Sequence, residues 1–433
     1  MSVEATEKGL LPAGPAADAP AGAALASTFR ARMVSIAGTG FLTGFAMNGM
    51  GVVLPLYVTA GLHMSNAAYG RVLSLRGIGI AVGVTVLGAL SDRFGARRSA
   101  IGCLLLGGVL YALLGAVPLW AFLVLVATVS GLLSTVLINT NTLTQLVEQR
   151  RQGLANSVYR ASTIAAAILA PVLATTLLAR TGSFALVFAV LGVLWLLGAG
   201  SLWRYPIHEP WRPPGAWRQE VGALKEIYLR ALRQKHLMRF VHLSLVTLTI
   251  GGSAAAFAAI RLTRELGTSD QYYGSACSLA AVLSLAGVAV MGLLLDRVPI
   301  KACASVLGAI SGLALVVMAW ADTPVSTAAG FVVFSLALTL LVAPLSVWIS
   351  RESLNAGLTA AFAVHKVAAA VYMAVITFLI SLLEPLLGIR GIFLVCGALT
   401  AVLSLVMYVG LRSPAATDQA PRATTFEGGP QTR

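Results

Sequence analysis

The chain has 433 residues, 58% of them hydrophobic and 11% charged, against roughly 45–50% and 25% in soluble domains, which excludes a water-soluble globular fold. Its formal net charge of +14 would suit nucleic acid in a soluble protein. Here most Lys and Arg stand in the tails and even-numbered connections between apolar stretches, so the basic excess marks the cytoplasmic side of a membrane rather than a nucleic-acid site.

Residues 1–32 are rich in Ala, Pro and Gly, lack the apolar core of a signal peptide and read as a disordered cytoplasmic tail. A hydrocarbon core of about 30 Å needs roughly 20 apolar residues per helix. The first six such spans are Met33 to Tyr57, Tyr69 to Leu90, Ser99 to Val117, Leu119 to Asn141, Leu154 to Leu177 and Phe184 to Trp203, an N-terminal bundle over 33–204. Polar groups inside it are few. Asn48 stands in the first span, Thr135, Asn139 and Thr142 follow helical spacing along the fourth, and Asn156 opens the fifth; such groups bind solutes, or hold helices together for roughly 1 kcal/mol apiece.

Two arginines of this half are expected to be embedded. Arg76 lies roughly 10 Å from the outer end of the second span, on the face of Gly79 and Gly83 that should meet other helices. A buried guanidinium keeps its proton and needs an anionic partner, which a substrate, a loop acid or backbone carbonyls could supply. Arg160 lies roughly 10 Å from the cytoplasmic end of the fifth span, where its long stem could also snorkel to the surface.

Residues 205–239 form a cytoplasmic linker. Its first part carries Pro206, Pro210, Pro213 and Pro214, and the part from Trp217 to Arg239 reads as an amphipathic interfacial helix. Six further spans, Phe240 to Ile260, Tyr272 to Leu294, Ala302 to Trp320, Pro324 to Trp348, Leu358 to Leu383 and Ile392 to Leu411, make a C-terminal bundle over 240–411. His242 is embedded in the first of these, and His365 with Lys366 in the fifth. No Asp or Glu falls inside any span, which argues against a simple carboxylate-driven proton cycle, although the histidines, Asp92 or Glu148 could titrate. Cys103, Cys277, Cys303 and Cys396 lie inside spans without metal-ligand spacing, so neither metal nor cofactor is expected. Residues 412–433 read as a second disordered cytoplasmic tail.

A shift of 204 residues lays Tyr69-Gly70 on Tyr273-Gly274, Gly83 on Gly287, Asp92-Arg93 on Asp296-Arg297, Arg97 on Lys301 and Gly153-Leu154 on Gly357-Leu358. One gapless offset across several spans implies duplication. The fold class is therefore an all-α membrane protein, twelve transmembrane helices in two pseudo-symmetric six-helix bundles, a plan that places solute sites between the halves.

The loop after the second span, with Gly88, Asp92, Arg93, Gly95, Arg97 and Arg98, returns in the second half as Gly292, Asp296, Arg297 and Lys301. This pattern resembles the signature loop of the major facilitator superfamily, and the resemblance covers essentially the whole membrane region. It implies a secondary transporter in which these residues form a conformational latch, with Gly88 permitting close helix approach; the bland alternative is a set of positive-inside anchors. In the fifth span Ala166, Ala170, Pro171 and Ala174 are similar to the family's antiporter motif with alanine in place of glycine, and also suit ordinary packing and a helix bend. The arginine usual in the fourth span of the family's drug exporters is missing.

The expected function is transport of a small solute, anionic because the embedded charges are basic, with Arg76, Lys366, His365, Asn48, Asn139 and Arg160 as candidate binding residues. The alternatives are a proton-coupled multidrug or metabolite exporter and a transporter-like receptor without flux. No enzyme constellation is present in the sequence. The expected setting is the plasma (inner) membrane with both termini cytoplasmic; the expected partners are the solute, the bilayer, and a coupling ion or counter-substrate left open.

Overall fold

The computed structural model describes residues 19–145, 152–204, 235–295, 297–352 and 358–410. Residues 1–18, most of the expected linker helix, Asp296 and the tail from 412 lie outside the described residues, as do the side chains of Asp92, Arg93 and Thr142 within their helices. The helices are α1 (Ala19–Leu56), α2 (Asn66–Val82), α3 (Ala96–Leu113), α4 (Leu119–Gln145), α5 (Gln152–Thr181), α6 (Phe184–Trp203), α7 (Lys235–Ala255), α8 (Asp270–Leu295), α9 (Ile300–Trp320) and α10 (Pro324–Glu352). A last run, Leu358–Gly410, is divided by Gly388 at φ 65° into α11 (358–387) and α12 (389–410). There is no strand among the described residues. Ten helical runs there are long and apolar enough to cross a membrane; the break at Gly388 and the 26-residue α8 bring the set to twelve. The spans read from the sequence fall on these helices.

The duplication is visible in the backbone. α2 and α8 start at Asn66 and Asp270, α3 and α9 at Ala96 and Ile300, each pair 204 residues apart. A π-helical turn ends the first span at Tyr57–Gly61, and its counterpart beyond α7, Arg261–Glu265, stands at the same offset. The chain then turns through a left-handed residue in both copies, His63 at φ 50° and Gly267 at φ 66°. Ser65 and Ser269 next accept backbone N–H bonds from Ala68 and Tyr272, both at 3.2 Å, satisfying a donor at each helix start.

Each half is knit by close helix approach. A Cβ built on Gly79 would lie 1.9 Å from the Ala127 carbonyl oxygen, and one on Gly83 would lie 2.4 Å from the Gly131 Cα, so α2 and α4 touch through backbone. α2 there passes through a further π-helical turn, Gly83–Leu87, and continues as Gly88–Phe94. The crossing of α3 on α6 at Gly108 and Gly192 recurs between α9 and α12 at Gly312 and Gly397.

Two expectations about boundaries change. α1 begins at Ala19, inside the segment expected to be a disordered tail: Ala19, Ala21, Ala23, Ala24 and Ala26 give it high helix propensity, which outweighs the low apolarity on which the tail was read. The seventh span reaches Glu265, so Arg261, Arg264 and Glu265, read as loop residues, belong to its helical end.

Candidate functional site

The described hydrogen bonds and tight contacts between the halves lie on the side away from the chain ends, called the far face here. Arg264 donates from its guanidinium to the Thr59 carbonyl oxygen in the π-helical turn of α1. The Asn66 amide donates to Glu384 Oε1 at 3.1 Å, and Tyr69 meets Phe257 edge-on with centroids 5.6 Å apart. Below them α2 lies on α11, a Cβ on Gly70 falling 2.7 Å from Ser381 Cβ and one on Gly77 falling 2.9 Å from Ala374 N. α5 lies on α8 in the same way: a Cβ on Gly274 would meet the Pro171 carbonyl oxygen at 2.9 Å, and the Ser278 hydroxyl donates to the Ile168 carbonyl at 2.6 Å.

Toward the chain ends the same helices part. On α5 Leu154, Asn156, Ser157 and Arg160 are exposed, and so is Lys366 on α11. Arg160 belongs to the first half and Lys366 to the second, yet Arg160 stands close enough for its charge to act on Lys366. Both are exposed toward the chain ends on helices of different halves, which makes them candidates for lining one opening between the halves. Neither makes an ion pair or side-chain hydrogen bond among the described residues.

Arg76 stands deeper. On a helix turning about 100° per residue it lies between the side of Gly79 and Gly83, which meets α4, and the side of Gly77, which meets α11. It is half-buried, its Nε is enclosed without a hydrogen-bond partner, and its charge reaches the rings of Tyr69 and Tyr111. Asn48 is half-buried on α1 and donates to its own helix at Gly44 O, 2.7 Å. The acids whose side chains are described, Glu265, Asp270, Asp322 and Glu384, stand at helix ends on the far face, where Asp322 pairs with Arg390 at 2.7 Å.

The model of the Major Facilitator Superfamily matches residues 36–361. The chain belongs to the Major Facilitator Superfamily. No curated protein sequence matches it significantly. Among solved structures it is similar to the nucleoside transporter NupG (15% identity, 88% of this chain and 98% of that one, TM-score 0.72). It is likewise similar to a D-xylose-proton symporter (16%, 90% and 99%, TM-score 0.68) and to a POT family transporter in complex with a thioalcohol-conjugated peptide (14%, 87% and 95%, TM-score 0.71). At these identities the likeness shows the fold. The protein is thus an integral membrane protein with a transporter fold.

The facilitator signature loop is tied down on the side of the chain ends. Gly95 adopts φ 89°, a conformation costly for a residue with a Cβ, and lets α2 turn into α3. Arg97 donates to the carbonyls of Leu202, at 3.1 Å, and Trp203, capping the end of α6 where the helix dipole is negative. Arg98 and Arg297 are exposed, and the Lys301 ammonium sits 5.3 Å over the Tyr408 ring. Gly88 was expected to permit close helix approach, yet nothing lies within 4 Å of a Cβ built there; the tight crossings of this segment are one and two turns earlier, at Gly83 and Gly79 against α4.

Two further groups take structural positions. Asn139 is 2% exposed and its amide oxygen accepts from the Ser91 hydroxyl, joining α4 to the end of α2, while its Nδ2 is enclosed without a hydrogen-bond partner. Ala166, Ala170, Pro171 and Ala174 are buried, Ala166 and Ala174 against Gly44 and Gly49 of α1, with Pro171 at the contact with α8.

Sequence reading missed two pairs. Arg261 is 1% exposed, pairs with Glu265 and donates to the Ala321 carbonyl at 2.8 Å; the i, i+4 spacing of Arg261 and Glu265 was the available signal. His242 Nδ1 meets the Tyr372 hydroxyl, joining α7 to α11, and no spacing in the sequence announces that pair.

Proposed function

We propose that this facilitator carries a small anionic solute by alternating access, and that the solute binds between Arg160 and Lys366 with Arg76 deeper along its path. The observation that supports the reading is a pair of exposed cations without an ion pair among the described residues, on chain-end segments of helices from different halves and near enough for one charge to act on the other. Two like charges about 4 Å apart repel by about 1 kcal/mol in water and about 4 kcal/mol at an effective dielectric of 20, and by less at the wider spacing that an intervening anion requires. An anion between them reverses that sign and attracts both halves, so the solute favours closure of the opening and drives the exchange of conformers. The basic connections support a reading in which the chain ends and the opening face the cytoplasmic side of the plasma membrane.

The test is a ligand-stabilisation screen on purified protein, with inorganic phosphate, sulfate, succinate and acetate set against cationic and neutral solutes. Binding at 100 times Kd raises stability by about 2.7 kcal/mol. At least one anion is expected to raise the melting temperature of the wild type and not of Lys366→Gln. Stabilisation confined to cations or neutral solutes overturns the reading.

A further inference from the structure

His365 and Lys366 are consecutive on α11 and differ in setting. Lys366 is exposed on the chain-end part of α11, whereas the His365 ring is half-buried with Nδ1 enclosed and unpartnered. The other embedded histidine, His242, already has a partner in Tyr372. The described acids, which elsewhere in membranes carry protons, stand at the far face, where Glu265 is engaged by Arg261, Asp322 by Arg390 and Glu384 by Asn66. An imidazole exchanges its proton near neutral pH in water, at about 6.5, and this one stands beside the proposed solute site.

From this juxtaposition we propose that His365 is the proton site of the transporter. The imidazole takes up one proton when an anion enters between Lys366 and Arg160 and releases it when the anion leaves, so solute and proton cross together. The inference rests on the anion reading above. An imidazolium is a third cation beside Lys366 and Arg160: repelled while the site is empty, it is held when an anion occupies it. Linkage makes the effect mutual, so a charged His365 tightens the anion by the same factor.

The surroundings of His365 follow from its helix. Ala368, Ala369 and Tyr372 share its face and pack on the cluster built by α7, α9, α10 and α12. The ionisable groups those helices offer near this end are His242 and Arg239 on α7, Lys301 on α9 and Tyr408 on α12. α10 ends at Glu352, whose side chain lies outside those described. Arg239 and Lys301 add positive charge, Tyr372 is engaged with His242, and Glu352 is the competing proton carrier.

Calorimetric titration of the intact purified protein with sulfate, methanesulfonate and acetate, which keep essentially one charge state between pH 6 and 8, decides the matter. Measurements at pH 6 and 8, in buffers of different ionisation enthalpy, count protons taken up per anion bound. For an anion that binds, the wild type is expected to take up close to one proton, and affinity to fall by up to about tenfold per pH unit on the alkaline side. His365→Gln is expected to bind with the weak, pH-independent affinity of the uncharged imidazole and to take up no proton. His242→Gln and Glu352→Gln are expected to keep the uptake. Anion binding without proton uptake in the wild type overturns this inference and leaves the anion reading standing. Uptake that persists in His365→Gln, or disappears in Glu352→Gln, also overturns it. No anion binding at either pH removes the anion site, and the proton site with it.

Discussion

Replacing Arg264 by Ala perturbs the contact that holds the far face shut. The Arg264 guanidinium donates to a carbonyl of the opposite half, Thr59 O, and the contact has no mirror image, because the residue 204 positions earlier is Ala60. A hydrogen bond to a charged group is worth about 1.5–3 kcal/mol net. Arg264 is exposed, so the low end applies, and loss of about 1.5 kcal/mol moves the balance between conformers roughly tenfold toward the one open at the far face. The second bond, Asn66 to Glu384 at 3.1 Å, joins α2 to α11. Asn66→Ala added to Arg264→Ala should multiply the shift to about a hundredfold if the two contacts act independently. Spin labels at Thr181 and Gln271, both exposed on α5 and α8 of different halves, report the separation by pulsed dipolar spectroscopy in proteoliposomes. The long-distance population should grow in Arg264→Ala and more in the double variant. Identical distance distributions in all three proteins would refute the assignment of these bonds to closure.

Further expectations concern the scaffold. Gly79→Ala drives a Cβ into the Ala127 carbonyl and should cost at least about 1–3 kcal/mol, seen as a lower melting temperature; Gly88→Ala, with nothing within 4 Å, should leave it unchanged or raise it. Glu265→Leu leaves the enclosed Arg261 guanidinium without its carboxylate, whereas Arg261→Met with Glu265→Leu removes both charges. The single variant should fall by about 3–5 kcal/mol in denaturant titration and the double variant by much less, and equal losses would show that the pair is not the cause. His63→Gly relieves a left-handed residue where the other half has Gly267 and should gain about 1 kcal/mol in the same titration.

The fold was legible because lipid imposes one rule everywhere: runs of apolar residues long enough to cross must close their own hydrogen bonds. The offset that aligned Asp92 with Asp296 in the sequence also aligns the two π-helical turns and the left-handed pair His63 and Gly267. Helix ends were less legible. Arg261 and Arg264 look like loop charges on hydropathy alone, and only packing shows that one is enclosed and the other crosses to the opposite half. In the candidate site, a cation far from any span end is the signal that singles out Arg76, Arg160 and Lys366, since an embedded charge must face protein, water or a partner. Asn139 carries less information: a neutral amide can hold two helices together, as its oxygen does with Ser91, or bind a solute, and its Nδ2 is left without a partner. Gly88 shows that a motif glycine need not be at a crossing in every conformer.

The central claim is that Arg160 and Lys366 select an anion. Its most direct test is initial-rate uptake in proteoliposomes of the anion that stabilises the purified protein, comparing the wild type with Arg160→Gln and Lys366→Gln, both exposed positions where folding should be spared. Each lost charge should weaken half-saturation by roughly 5- to 150-fold, about 1–3 kcal/mol after screening in an open, wet site. Half-saturation unchanged in both variants, with the same folded yield, would contradict the account.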